Sequence, residues 1–229
     1  MIEVKEYVDK SGKSPYARWH DRLNAKAAVK VSTALYRLEQ GNFSNTKGIG
    51  GGVFEYKIDF GPGYRIYFGK DGERIVIILG GGTKKRQQQD INAAKSYWQD
   101  YKARKHKSEW GIAMVLTRDF RETIQARAKR DPAYREAMLT EAVESFLSGD
   151  VEVGKALLRD YINATVGFEA LSQQINKPSK SLHRMLSPSG NPGANNFFEI
   201  LTCLQSNEGL ELVVTARHHS DTGLSDTAL

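Results

Sequence analysis

Three short runs of alternating residues, joined by two turn sequences, constrain the fold of this chain more than any other feature. The runs begin at Val53, Tyr64 and Glu73, and the turns between them are GPG at 61–63 and DG at 71–72. An Asp-Gly pair between alternating runs is a strong signal for a two-residue hairpin turn, and Gly-Pro-Gly suits a three-residue loop. The sequence therefore predicts an antiparallel meander of three strands.

Helical signals surround this meander in the first half of the chain. An alternating strand is expected over 2–8, and Ser14-Pro15 is typical of a cap that opens a short helix. A second helix is expected over 25–39 and a last one over about 88–103, with a Gly-rich loop at 41–52. The first half is therefore predicted to be an α+β domain.

The second half is predicted to be all-α, because its apolar periodicity is helical from Met114 onward. Helices are expected over 119–129, 131–147 and 151–163, then over the shorter segments 168–175, 179–187 and 195–205. A strand-like run, LELVVTAR at 210–217, precedes a polar tail that is expected to be disordered. The expected division is a first domain at 1–104, a linker at 105–115, a second domain at 116–217 and the tail at 218–229.

Charge is divided unequally between the two halves. Up to Ala113 there are 21 Lys and Arg against 12 Asp and Glu, and from Met114 onward there are 12 against 15, so the net charges are +9 and −3. A basic half suggests a polyanionic partner, most commonly nucleic acid, and an acidic half of the same chain could lie against it as a competitor.

Composition argues against several classes of protein. Apolar residues make up 40% of the 229 residues, and no stretch approaches the ~18 uninterrupted apolar residues of a membrane span. The N-terminal residues lack the apolar core of a signal peptide, so a cytoplasmic protein without membrane contact is expected. The single cysteine, Cys203, is expected to be a buried structural thiol. No Cys or His pair shows metal-ligand spacing, so neither a metal nor another cofactor is expected.

The meander predicts a cluster of cations at one corner of the sheet. If Phe60 pairs with Tyr64, then Lys57 faces Tyr67 and Asp59 faces Arg65, and alternation leaves this face polar. The third strand returns to the same end and delivers the sequence TKKR. Five cations are expected to converge there: Lys57, Arg65, Lys84, Lys85 and Arg86. Such a cluster suits a phosphodiester, although a solvated strand face is the simpler alternative.

A second cluster of polar residues lies on the predicted helix at 179–187. Residues 168–187 are typical of two helices joined by a turn that contains Asn176, Lys177 and Pro178. The apolar residues of both helices face inward, which leaves five polar side chains exposed on the second: Ser179, Lys180, Ser181, His183 and Arg184. These groups suit phosphates and base edges, and an ordinary helical hairpin is the alternative.

The segment GVFEYKIDFGPGYRIYFGKDGERIVIILGGGTKKRQQQDINAAK resembles the toxins of the RelE/ParE superfamily, specifically the HigB-like branch. The resemblance covers about 4–101 and implies a small α+β fold that cleaves mRNA on the ribosome through attack of the RNA 2′-hydroxyl. It implies that Lys57, Arg65 and Lys84 are catalytic and that Tyr67, Lys85 and Arg86 contact RNA. Some relatives carry Tyr or His where this chain has Gln88, Gln89 and Asp90, so the resemblance assigns no general acid.

The segment ALLRDYINATVGFEALSQQINKPSKSLHRMLSPSGNP is similar to the HigA-like antitoxins that accompany these toxins. That resemblance covers about 116–214 and implies a helix-turn-helix that binds operator DNA through the five polar residues of 179–184. Pro178 departs from the pattern, because relatives usually have Ser there.

Together the two resemblances imply a toxin and its antitoxin in one chain, with mRNA, the ribosome and operator DNA as partners. The order of toxin before antitoxin is consistent with a natural fusion, a readthrough product or an engineered joining. The contact between toxin and antitoxin could form within one chain or between two chains. A homodimer is expected, because one helix-turn-helix reads only half of a palindrome. Two alternatives stay open: a DNA-binding repressor with an inactive toxin half, and a topoisomerase inhibitor of the ParE type.

Overall fold

The computed structural model describes residues 2–108 and 115–215. The first half is mixed α and β, as predicted. Its elements are β1 (Glu3–Tyr7), α1 (Pro15–His20), α2 (Ala25–Glu39), β2 (Thr46–Gly48), β3 (Val53–Ile58), β4 (Tyr64–Asp71), β5 (Ile75–Thr83), a 3₁₀ turn (Lys84–Arg86) and α3 (Gln87–Ser108). The side chain of Ser14 accepts a hydrogen bond from the backbone N–H of Ala17, which confirms the predicted cap of α1. Helix α3 continues through Ser108, so the first residues of the predicted linker are helical.

The second half is helical apart from one short strand. Its elements are β6 (Thr117–Asp119), α4 (Phe120–Arg130), α5 (Pro132–Leu147), α6 (Val151–Ala164), α7 (Phe168–Gln174), α8 (Ser179–Met185) and α9 (Ala194–Glu208). Asp119 caps α4 and Asp131 caps α5 through their carboxylates. The predicted strand at 210–217 is wrong over 210–215, which form no regular element. Residues 216–217 and the predicted disordered tail lie outside the described residues.

The sheet has six strands in the order β2-β3-β4-β5-β1-β6, and strands from both halves contribute to it. Strand β1 runs parallel to β5, while β6 pairs antiparallel with β1. The sequence did not predict β2 or β6, because each is only three residues long and shows no measurable alternation. Through β6, the second half adds an edge strand to the sheet of the first half.

Both faces of the sheet are covered by helices, whereas the sequence predicted one polar face. Helices α1 and α2 cover one face, and α3 packs Ala94, Trp98 and Tyr101 on the other, against Tyr67 and Ile77. The Trp98 ring lies so close to β4 that a Cβ at Gly69 would meet it at 2.5 Å. The amphipathic pattern of β3 and β4 therefore concealed a second, smaller core.

The two halves share one continuous core. Leu35 and Leu38 of α2 belong to the same buried cluster as Phe120 of α4, Leu139 of α5 and Leu157 of α6. None of the described helices is long and apolar enough to cross a membrane.

Candidate nucleic-acid interfaces

Backbone pairing brings the predicted cationic residues to one end of the sheet. Lys57 of β3 lies opposite Arg65 of β4, and Arg65 lies opposite Gly82 of β5, directly before the 3₁₀ turn that carries Lys84, Lys85 and Arg86. The convergence of these five positions thus follows from strand register. The sequence predicted that these positions would converge at this corner.

The register itself differs from the prediction by two residues. Ile58 pairs with Tyr64, so five residues, 59–63, connect the strands instead of three. The loop forms its own turns, in which Phe60 N–H donates to Ile58 and Gly63 N–H donates to Phe60, and Gly63 has a φ of +76°. The other connection is also longer than predicted, because Asp71 pairs with Ile75. A shift of two leaves every side chain of β3 on the face expected for it.

Four of the five cations are exposed, and they differ in what they contact. The Lys57 ammonium lies 2.7 Å from Asp59, and Arg86 Nε donates to Gln89 Oε1 at 3.2 Å. Within residues 2–108 and 115–215, neither Lys84 nor Lys85 lies in an ion pair. These two lysines are exposed positive charges of the corner that face no carboxylate in an ion pair.

Arg65 is buried, which makes its predicted exposure wrong. It is 7% exposed, and its Nε lies 3.4 Å from Glu55 Oε2, which also accepts a hydrogen bond of 2.7 Å from Gln87 Nε2. The predicted exposure is also wrong for Glu55 and for Tyr67, which is 0% exposed. The physical reason is α3, whose first turns cover this face of the sheet.

Tyr67 and Asp90 line a small cavity beneath α3. The cavity measures about 130 Å³ and its floor includes Gly80 and Gly81 of β5. Burial raises the pKa of the Tyr67 hydroxyl, as do the carboxylates of Glu55 and Asp90. Burial also raises the pKa of Asp90. Asp90 packs directly on Gly82, and Trp19 of α1 packs on Gly81, so these two glycines mark close approaches of helices to β5.

Replacing Arg65 with alanine is expected to lower the free energy of unfolding by about 3–5 kcal/mol, because the Glu55 carboxylate would be left buried without its partner. Urea denaturation of the full chain measures the effect. Lys84→Ala is the control, because Lys84 is exposed and its loss should change stability by no more than about 0.5 kcal/mol. Equal stability of the two variants would contradict the buried ion pair.

Helices of the second half dock on α2. Tyr36 of α2 donates to Asp160 at 2.5 Å, and Arg37 of α2 donates to Asp150 at 2.8 Å. Burial raises the pKa of Asp160, and the Tyr36 hydroxyl opposes that rise. Among the described residues, no hydrogen bond or ion pair joins the second half to any of the five cations of the corner.

Three arginines of β6 and α4 fasten the two halves together. Arg118 donates to the buried carboxylate of Glu6 at 2.9 Å, and Arg121 pairs with Glu39 at the end of α2. Arg127 donates to the backbone carbonyls of His20 and Leu23, the latter at 2.7 Å. The interface is therefore polar at several buried points as well as apolar.

Helices α7 and α8 form the pair that the sequence predicted, with Asn176 at a φ of +51° in the turn between them. On α8, Lys180, His183 and Arg184 are exposed, and Ser179 and Ser181 are half-buried. Two of these side chains have partners: the Ser179 hydroxyl donates to Glu169 at 2.7 Å, and the His183 ring stacks on Phe168 with centroids 3.8 Å apart. Lys180 and Arg184 are the cations that project from this helix.

Lys155 fixes the segment that follows α8, and sequence reasoning missed it. Its ammonium is buried and donates to the carbonyls of Pro188 at 3.2 Å and Gly190 at 2.6 Å. Arg159, one turn further along α6, donates to the carbonyl of Leu186 at 3.2 Å. Helix α6 thus contacts the first half through Asp160, the end of α8 through Arg159 and the segment that follows α8 through Lys155.

Lys155→Met is expected to speed hydrogen exchange of the α8 amides by about tenfold or more, because charge-assisted hydrogen bonds of about 1.5–3 kcal/mol are removed. Lys180→Met is the matched control, since this exposed lysine of α8 makes no such bond. Mass spectrometry of exchanged peptides measures both. Similar exchange in the two variants would show that Lys155 does not hold the segment.

Cys203 is half-buried, so its prediction as a buried thiol is only partly correct. Its Sγ donates to Gln174 Oε1 at 2.8 Å, and burial raises the pKa of the thiol. Among the described residues, no group of three His, Cys, Asp or Glu side chains could hold a metal ion.

These features describe a chain with a basic α+β half joined through a shared core to a helical half. An uncharacterized protein of Haemophilus influenzae is 40% identical over 83 residues, which are 36% of this chain and 84% of that protein. Over the matched residues, the chain belongs to the same family as that protein. Since 83 residues make up 84% of it, that protein is about 99 residues long. No protein-family model matches the chain, and no solved structure matches it.

Proposed function

We propose that this chain is a fused type II toxin–antitoxin protein of the cytoplasm. The first half is an mRNA endonuclease that acts on the ribosome, and the second half neutralises it and binds operator DNA. The observation that carries this proposal is the strand register at the corner, where Lys57, Arg65 and Gly82 lie side by side and Lys84–Arg86 follow at once.

The exposed cations of the corner have the chemistry that a phosphodiester needs. Lys84 and Lys85 can bind phosphate oxygens directly, and positive charge at this position stabilises the negative charge that develops as the RNA 2′-hydroxyl attacks. Lys57, which lies opposite Arg65 in the strand register, is the residue proposed to accept the hydroxyl proton. Arg65 is buried beside Glu55, which also accepts a hydrogen bond from Gln87 at the start of α3, so we infer that this turn shifts before Arg65 binds phosphate.

Two further observations support a division into toxin and antitoxin. The second half carries a net charge of −3 and docks on the +9 half, where ion pairs such as Arg121–Glu39 border the shared apolar core. In addition, a relative about 99 residues long matches 83 residues of this chain, and that length is close to the length of either half.

The burial of Arg65 favours a second candidate, in which the first half is inactive and the chain acts only as a DNA-binding repressor. In that case the Glu55–Arg65 pair is permanent and serves the fold alone. The exposed lysines would then be ordinary surface charges.

The proposal is tested by expressing three proteins: residues 1–113 alone, residues 1–113 together with residues 114–229 as a separate chain, and the full chain. Residues 1–113 alone are expected to arrest growth and cut mRNA. The full chain and the co-expressed pair are expected to do neither. Growth arrest with intact mRNA and altered DNA supercoiling would instead favour a topoisomerase inhibitor, and normal growth with a folded fragment would favour the inactive toxin half.

A further inference from the structure

The small cavity beneath α3 has one glycine in its floor that no other part of the chain covers. Asp90 and Trp19 fill the space beside Gly82 and Gly81, whereas a Cβ at Gly80 would meet no atom from elsewhere in the chain within 4 Å. Gly80 lies opposite Tyr67 in the strand register, and both residues line the cavity. Its volume of about 130 Å³ corresponds to about four water molecules at ~30 Å³ each, so it can hold a group of several non-hydrogen atoms.

The lining of this cavity is aromatic at two points and acidic at one. Tyr67 and Tyr97 contribute aromatic rings, and Asp90, in the first turn of α3, contributes a carboxylate. The other lining residues are Pro, Leu, Gly and Ala. Single-stranded RNA is recognised by aromatic rings that stack on its bases and by hydrogen bonds to the base edges. The lining therefore suits a planar nucleobase.

The carboxylate of Asp90 selects among the bases. An ionised carboxylate only accepts hydrogen bonds, so it is best satisfied by two N–H donors that lie side by side. On its base-pairing edge, guanine presents N1–H next to the 2-amino group. Adenine and cytosine present one donor beside an acceptor, and uracil presents one donor between two acceptors. Guanine is therefore the base that both oxygens of Asp90 can hold.

The cavity adjoins the cationic corner. Asp90 packs on Gly82, and the 3₁₀ turn Lys84–Arg86 begins two residues after this glycine. Burial raises the pKa of Asp90, and the charge of the Arg86 guanidinium opposes that rise, so the two side chains interact electrostatically. The phosphate of a nucleotide whose base lies in the cavity would be within reach of Arg86.

We propose that this cavity binds the guanine base of a guanosine in single-stranded RNA, with Asp90 accepting hydrogen bonds from N1–H and the 2-amino group. The RNA as source of the guanosine rests on the proposed function, whereas the preference for guanine rests on the cavity and Asp90. All the residues that line the cavity belong to the first half, so the full chain can be tested as it is.

Isothermal titration calorimetry of the full chain with nucleoside monophosphates tests the pocket without any cleavage. Guanosine monophosphate is expected to bind at least about tenfold more tightly than the adenosine, cytidine and uridine monophosphates, because a bidentate contact to a base edge discriminates by about this factor. Inosine monophosphate, which differs from it only in lacking the 2-amino group, is expected to lose a similar factor, since one hydrogen bond to a charged group is missing.

Two substitutions test the residues of the pocket. Asp90→Asn replaces one acceptor with a donor and is expected to weaken the binding of guanosine monophosphate by about tenfold or more. Gly80→Val is expected to weaken it at least as much, because the new side chain would occupy the open floor of the cavity. Glu73→Gln is the matched control, since Glu73 is an exposed carboxylate in the turn at the opposite end of β5. Unchanged thermal melting of each variant shows that the fold is intact.

A second titration compares a five-nucleotide RNA that has guanosine at its centre with the same RNA that has adenosine there. The first is expected to bind more tightly than the second and more tightly than guanosine monophosphate, because its flanking phosphates reach Lys84 and Lys85.

Equal binding of all the monophosphates, absence of binding, or binding that is indifferent to Gly80→Val would overturn the guanine pocket. RNA binding that ignores the central base would also overturn the pocket, but it would leave the proposed function in place. Selective binding of guanosine monophosphate with no gain from RNA would contradict RNA as the source of the base, and with it the proposed function, while the pocket would stand.

Discussion

Replacing Lys84 with alanine in a chain limited to residues 1–113 is expected to lower the rate of mRNA cleavage by about 10²-fold or more. Lys84 is exposed at the end of β5, at the point where a phosphate bound beside Lys57 would develop charge in the transition state. Loss of one preorganised charge stabiliser typically costs this much. Primer extension on a translated message measures cleavage, and growth after induction gives an independent reading.

The matched control for this experiment is Lys107→Ala. Lys107 is also an exposed lysine, but it lies near the far end of α3, about 30 Å from the helix start at 1.5 Å per residue. It should leave cleavage unchanged. Circular dichroism of the fragment with and without each substitution confirms folding, which matters because α2 loses the cover of α5 and α6. Full cleavage by the Lys84 variant would remove this residue from the proposed site.

Lys57→Ala in the same cleavage experiment distinguishes a general base from a phosphate-binding residue. If Lys57 accepts the proton of the 2′-hydroxyl, its loss should flatten the pH dependence of cleavage as well as slow it. If it only binds phosphate, the rate should fall while the pH profile keeps its shape.

The second large effect is expected in the other half. Lys180→Ala combined with Arg184→Ala should weaken operator binding by about 100-fold or more, because binding to phosphates supplies much of the affinity of a DNA-binding protein. The slope of the logarithm of the binding constant against the logarithm of the salt concentration should also become shallower, by about 0.9 for each phosphate that the variant no longer neutralises. A gel-shift series at several salt concentrations, with the promoter of the chain's own gene, measures both quantities.

Lys129→Ala is the control for operator binding, because this exposed lysine lies on α4 and not on α8. The double variant should stay non-toxic, since Arg118, Arg121 and Arg127 keep the halves together at a different surface. Undiminished operator binding by the double variant would contradict the proposed DNA-binding role of α8. Toxicity of a full chain that carries both substitutions would contradict the separation of DNA binding from inhibition.

Much of the fold could be read from local signals. The caps at Ser14 and Asp131 and the turns around Gly63 and Gly72 are set by residues within a few positions of each other, and the helices of the second half follow from their apolar periodicity. The convergence of the cationic residues also follows from short-range hairpin geometry. These features need no knowledge of distant partners.

The rest depends on packing between distant residues, which leaves a weaker mark on sequence. Tyr67 and Arg65 are consistent with either an exposed or a covered strand face, and only the docking of Trp98 and Gln87 decides between them. Because the connection at 59–63 is longer than predicted, the residues of β3 pair with different residues of β4 than expected, although their side chains stay on the expected face of the sheet. The buried Lys155 was missed because its partners are backbone carbonyls of a loop more than 30 residues away.

Because the edge strand β6 is synthesised after the rest of the sheet, the sheet of the first half forms before its last edge can be paired. Strand β1 forms with β5, which ends at Thr83, but its outer backbone groups stay unpaired until Thr117–Asp119 has been made. At about 5–20 residues per second, that interval lasts a few seconds. A separate inhibitor would have to find this open edge by diffusion, at a rate set by its concentration. In a single chain, each copy of the sheet is followed by its own copy of β6, and β6 is synthesised at a fixed interval after β5.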